Sequence, residues 1–291
     1  MSSAFVEPVE DYSRLAGLDA AFSPDIEEVF DDERFEAGRA LSILGVQVTD
    51  LKKARAIALL EQVIRQASAR TRAIYIVNAH TLNLACEDEH YRWALNNAFR
   101  VFGDGTGVRW AARARGVRLH DNLVGTDLIP ELFAATAGAG HRYFLLGATD
   151  ETICRAAATA QARFPGWELA GCHHGYVQTS ATAAAAIAQI NDSQADLLLV
   201  GMGNPLQELW IHRHLKDLRV PLAIGVGGLF DHWAGNLQRA PRWVRALGYE
   251  WLQILLQQPH KWRRYVLGNP KFLYRMIRDL RRERFAEPAT A

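Results

Sequence analysis

From Ala40 to about residue 226 the chain alternates short apolar runs with segments of helical periodicity, and this alternation restricts its fold more than any other feature. The apolar runs predict strands over 41–46, 73–77, 99–103, 142–147, 167–172, 196–201 and 221–226. Between them the spacing predicts helices over 51–67, 81–97, near 105–116 and 125–138, and over 150–163, 180–191 and 206–217. Strands apolar throughout, alternating with helices, describe a Rossmann-like α/β fold, a mostly parallel sheet with helices on both faces. In such a fold ligands bind beyond the carboxyl ends of the strands. Those ends hold Asn78, Asp104, Gly147-Ala148-Thr149, Gly201 to Asn204 and Gly225 to Gly228.

Charge divides the chain differently. Its net charge is +1, yet residues 1–38 hold eleven acidic against two basic side chains, and residues 239–284 twelve basic against three acidic. The expected organisation is an acidic extension over 1–38, an α/β core over 39–235 and a basic, aromatic helical appendage over 236–291, where prolines 241, 259 and 270 interrupt the pattern. The three cysteines, Cys86, Cys154 and Cys172, are far apart and lack metal-ligand spacing, which predicts reduced packing residues. No signal-peptide pattern and no apolar run of roughly 20 residues is present, so the expected protein is neither secreted nor integral to a membrane.

Several segments can carry chemistry. In 103-GDGTG-107 an acid follows a strand between glycines, a place where Asp104 can accept a proton from a sugar hydroxyl, cap the next helix, or simply turn the chain. Gln207 and Glu208 fall in the first turn of a helix after a glycine-rich strand end, suited to a sugar or phosphate and equally to capping. Arg239, Arg242 and Arg245 are spaced by three, which aligns them on a helix either for a diphosphate or as a solvated face. The appendage aromatics, among them Trp243, Trp251, Trp262, Tyr265, Phe272 and Tyr274, fit a lipid interface, nucleic-acid stacking, or packing against the sheet. The chain has neither a G-x-G-x-x-G fingerprint nor a G-x-x-x-x-G-K-[ST] loop, which argues against nicotinamide enzymes and P-loop enzymes. It also lacks D-x-D and any histidine ligand set, so no metal is expected and arginines should meet the charge of a donor diphosphate.

In order and spacing, 78-NAHTLNLA-85, 103-GDG-105, 125-GTDL-128, 201-GMGNPLQE-208, 225-GVGGLFD-231 and the long segment over 239–272 resemble the WecG/TagA/CpsF glycosyltransferase family. The resemblance runs from about residue 41 to 275. It implies an inverting transferase with no metal or other cofactor, moving a sugar from a UDP-sugar to a polyprenyl-diphosphate-linked sugar in exopolysaccharide or cell-envelope polymer synthesis. It places the catalytic aspartate at Asp104 and donor or acceptor contacts at Asn78, Thr81, Gly105, Gly125, Asp127, Gly203, Gln207, Glu208, Arg239, Arg242 and Arg245. It also implies a cytoplasmic protein held peripherally on an anionic membrane surface, with no nucleic-acid partner; a homo-oligomer stays open. Two positions depart from the family's pattern: Ile76 stands where many relatives have threonine, and Asn122 where many have arginine. The competing classes are a nucleotide-sugar-modifying enzyme such as an epimerase and a basic nucleic-acid-binding module.

Overall fold

The computed structural model describes residues 38–66, 70–241, 244 and 250–286. The acidic extension therefore lies outside the described residues.

The strands are β1 (Arg39–Ile43), β2 (Val46–Asp50), β3 (Arg72–Val77), β4 (Arg100–Gly103), β5 (Arg142–Gly147), β6 (Glu168–His173), β7 (Leu197–Gly201) and β8 (Leu222–Gly225). They form one sheet in the order β1-β2-β4-β3-β8-β7-β5-β6, antiparallel between β1 and β2 and parallel elsewhere. The single strand expected over 41–46 is in fact a hairpin. Leu44 (φ 53°) and Gly45 (φ 79°) form its two-residue turn, with Ile43 opposite Val46. Two positive φ values match the twist of paired strands, but leucine rarely takes that conformation and so does not advertise it.

Side chains along β3 alternate between two cores, as strand geometry requires. Ala73, Tyr75 and Val77 join Val46, Val48, Val101, Phe144, Leu146, Leu198 and Val200 on one face. Ile74 and Ile76 turn to the other, where Phe133 stacks on Trp167 and packs against Tyr143. This second face is covered by α1 (Lys53–Arg65), α5 (Gly125–Ala135), α6 (Asp150–Arg163) and α9 (Leu229–Trp233), which contact one another in the pairs α1 with α5, α5 with α9 and α6 with α9. The first face carries α2 (Ala79–Glu87), α3 (Glu89–Asn96), α4 (Gly105–Ala114), α7 (Ser180–Asp192) and α8 (Leu206–His214). The helix expected over 81–97 is two helices. Asp88 ends α2 in an extended conformation and caps α3 through Oδ1, which accepts the Tyr91 N–H at 2.9 Å.

After β8 follow α10 (Glu250–Gln257), α11 (Trp262–Val266) and α12 (Gly268–Ala286). Helix α12 lies against α2 and α4. Phe272 and Met276 are buried there. Gly107 makes the approach possible, since a Cβ on it would stand 3.0 Å from the Ala79 Cβ and 3.3 Å from the Phe272 ring. Charged contacts fix the helix further: Arg115 pairs with Asp279 at 2.5 Å and Glu283 at 3.0 Å, and Lys271 and Arg275 both reach Glu87. Cys154, expected to pack, is exposed.

Candidate active site

Register brings the two most suggestive residues together. Val77 pairs with Gly103 across β3 and β4, so Asn78 and Asp104 follow side by side, and the Asp104 N–H donates to the Val77 carbonyl at 2.8 Å. Asn78 caps α2: its side-chain oxygen accepts from the His80 and Thr81 N–H groups, while the buried Thr81 hydroxyl accepts the Asn78 N–H at 2.6 Å. This reciprocal box fixes Asn78 and leaves its side-chain NH₂ outside the cap. Thr81 is thereby a support for Asn78.

Asp104 occupies the N-cap of α4, yet its side chain makes no capping hydrogen bond. The Gly105 N–H goes instead to Asn122 Oδ1 at 2.7 Å. Gly105 has φ +85° and open space where a Cβ would stand, so the turn beside Asp104 exposes bare backbone. Gly125 opens α5 with Ile76 packed beneath it, 3.2 Å from where its Cβ would be. Asp127, in the first turn of α5, receives a two-pronged contact from Arg239 at 3.0 and 3.3 Å. Arg239 thus reaches back to the core; Arg242 and Arg245 lie outside the described residues.

The turns after β7 and β8 are joined from below. Gln207 and Glu208 are both buried. Gln207 donates through Nε2 to Glu208 Oε1 at 2.7 Å and accepts the Gly227 N–H at 3.0 Å. Glu208 Oε1 also accepts from Asn204 Nδ2 at 2.6 Å, and Oε2 from the Tyr91 hydroxyl at 3.2 Å. Burial pushes the Glu208 carboxyl up to about 7, against the pull of those donors. Gly203, at φ +81° with nothing near its missing Cβ, presents open backbone above this network.

Two cations that no sequence motif singled out, Lys261 and Arg264, act on His80 in the first turn of α2. His80 is pushed down to about 4, first by burial and then by the Arg264 charge. Lys261 is lowered by the same two causes, with Asp231 of α9 opposing. The available signal was their spacing of three, which puts 261 and 264 on one helical face. His173 and His174 hold their rings 4.3 Å from each other at the end of β6, beside the exposed Tyr176.

The profile of the Glycosyl transferase WecG/TagA/CpsF family matches residues 41–286. An N-acetylglucosaminyldiphosphoundecaprenol N-acetyl-beta-D-mannosaminyltransferase of Bacillus subtilis (strain 168) is 32% identical over 206 residues, 71% of this chain and 79% of that protein. A protein of the same name from Staphylococcus aureus (strain MW2) is 29% identical over 244 residues, 83% of this chain and 94% of its own length.

The raised carboxyl of Glu208 has a signed consequence for stability. A carboxyl that binds its proton more tightly when folded contributes stability that is full below its unfolded value, about 4.3, and is lost as pH rises through 7. Glu208→Gln removes that dependence, so between pH 5 and pH 8 the variant gains ~2 kcal/mol relative to the wild type. Denaturant unfolding of both proteins at the two pH values checks this; a difference that does not move with pH contradicts it.

Proposed function

The chain belongs to the WecG/TagA/CpsF family of glycosyl transferases, and on that premise we propose that it moves a sugar from a UDP-sugar, with inversion, onto a polyprenyl-diphosphate-linked sugar. The observation that carries this reading is the convergence of Lys261, Arg264 and His80 where α2 begins at Asn78, next to Asp104. Burial first and the Arg264 charge second loosen the protons of His80 and Lys261, with Glu87 and Asp231 opposing, and a diphosphate brings further negative charge to Lys261 and Arg264. The relatives' name contains a diphosphoundecaprenol-linked acceptor, and the same class of acceptor is assigned here.

In the proposed reaction the Asp104 carboxylate takes the proton of an acceptor hydroxyl while that oxygen attacks the anomeric carbon. The bond from that carbon to the UDP oxygen breaks, and UDP departs with the electron pair. Lys261 and Arg264, with Arg239, Arg242 and Arg245 from the same appendage, stabilise the charge that develops, the role a divalent metal fills in other transferases. Asn78 orients a sugar through the amide its cap does not use, and Gly105 and Gly203 admit the substrate to the backbone. Ile76, packed under Gly125, gives the floor an apolar surface, so a screen of UDP-sugars rather than the relatives' name identifies the donor.

The appendage also supplies the means to reach a lipid-linked acceptor. No described helix is long and apolar enough to cross a membrane. Exposed Leu256, Trp262, Leu267 and Tyr274 instead share α10 to α12 with Arg263, Arg278, Arg281 and Arg282. Apolar and aromatic groups beside cations suit the interface of an anionic bilayer. We assign the protein to the cytoplasmic face of that bilayer, where it works peripherally in envelope or exopolysaccharide polymer assembly.

Asp104→Asn is expected to fold and bind UDP as the wild type does while turnover falls roughly 10²-fold or more; near-normal transfer removes Asp104 from the base role. Lys261→Ala with Arg264→Ala should weaken UDP binding about tenfold by calorimetry, in proportion to the charge-assisted contacts removed, and unchanged affinity counts against the diphosphate reading. Trp262→Ser with Tyr274→Ser should lower co-flotation with vesicles containing phosphatidylglycerol, and undiminished flotation moves the membrane contact elsewhere.

A further inference from the structure

Glu208 is fully buried, and its three side-chain partners, Asn204, Gln207 and Tyr91, are all neutral donors. A buried carboxylate held only by neutral donors is costly, and a packed apolar residue would close the core without that cost. What the carboxylate does that an apolar group cannot is join two turns. Through Asn204 it holds the turn after β7. Through Gln207, whose other end accepts the Gly227 N–H, it holds the turn after β8. The Tyr75 hydroxyl of β3 donates to the Glu208 main-chain carbonyl at 3.1 Å, which ties the same point to the strand that ends at Asn78. Gln207 is buried with both ends of its amide engaged, so it too acts from beneath the cleft.

We propose that Glu208 is a positioning residue for sugar transfer, whose carboxylate fixes the turns after β7 and β8 by holding the amides of Asn204 and Gln207. The inference rests on the sugar-transfer reading and is independent of which group serves as the base. It distinguishes two states of the site. The ionised carboxylate accepts from all three donors at once. The protonated one turns Oε2 into a donor toward the Tyr91 hydroxyl and leaves Oε1 a neutral acceptor, so its bonds to Asn204 and Gln207 lose their charge assistance and the turns loosen. Burial puts the exchange between the two near neutral pH. The titratable groups that face it are Tyr75 of β3 and Tyr91 of α3, both raised well above the usual tyrosine range and so uncharged, with the Arg264 charge felt at Tyr91. Strands β7 and β8 contribute no titratable side chain. His90 of α3 and His212 of α8 also act on each other across that helix pair, and His212 is pushed down to about 4, mainly by burial.

The test is the pH profile of UDP release by the full-length protein, from UDP-N-acetylmannosamine or whichever UDP-sugar the donor screen selects, with a synthetic N-acetylglucosaminyl diphosphate lipid as acceptor. Wild-type kcat should rise ~fivefold between pH 6 and pH 8, the scale of one charge-assisted hydrogen bond. Glu208→Gln should stay flat near the wild type's low-pH value, with the KM for donor within about twofold because no substrate contact is lost. A Glu208→Gln enzyme that keeps the wild-type rise overturns the role of Glu208 alone. A wild type that turns over no donor in the screen removes the sugar-transfer reading and this role with it. Should Glu208→Gln not fold, Tyr91→Phe takes away one donor to the carboxylate and should move the rise to higher pH; an unmoved midpoint overturns the proposal.

Discussion

A parallel sheet covered on both faces leaves no room for polar chemistry along its strands, and the rest of this molecule follows from that constraint. From Ala73 to Val77 every β3 side chain is buried, and β7 and β8 are buried throughout. Reactive groups are therefore displaced to the residue after each strand, where the backbone leaves the ladder. Because register pairs Val77 with Gly103, displacement from two neighbouring strands sets Asn78 beside Asp104. The site is built mainly of helix starts and glycine turns, and its geometry is inherited from the ladder beneath.

The C-terminal appendage uses the same two points. Helices α2 and α4 begin at Asn78 and Asp104, and α12 packs on this pair through Phe272, Met276 and the ion pairs of Arg115 and Glu87. The Asn83 amide donates to the Gly268 carbonyl at 2.8 Å, so the start of α12 is fixed to α2 as well. Ion pairs on a surface contribute little individually; the buried aromatic and the close approach at Gly107 do more to fix the helix. The consequence is electrostatic: Lys261 and Arg264 are carried by a segment anchored to the helices that start at the candidate residues.

Periodicity made the fold legible, because a buried parallel strand and an amphipathic helix each leave a repeating signature. The failures occurred where one residue outweighed a period. Leu44 takes a positive φ usually left to glycine or asparagine, hiding a hairpin. Asp88 ends one helix and caps the next without breaking the apolar spacing. In the candidate site, motif position singled out Asn78, Asp104, Gln207 and Glu208, but exposure has no local signature. Nothing in 201-GMGNPLQE-208 says that Gln207 and Glu208 lie under the cleft, since their burial depends on Tyr91 and Gly227, far away in the chain. Distance in sequence likewise hid the meeting of His80 with Lys261 and Arg264.

Asn122 shows how a departure from a family's pattern can be absorbed. Read from sequence it is a lost guanidinium. In the fold it accepts the first N–H of α4. An aspartate at an N-cap ordinarily gives its carboxylate to such N–H groups. Asp104 stands at that position without capping the helix. Part of the demand for a cap is met from the chain segment before α5, so Asp104 is not required to hold the helix that follows it.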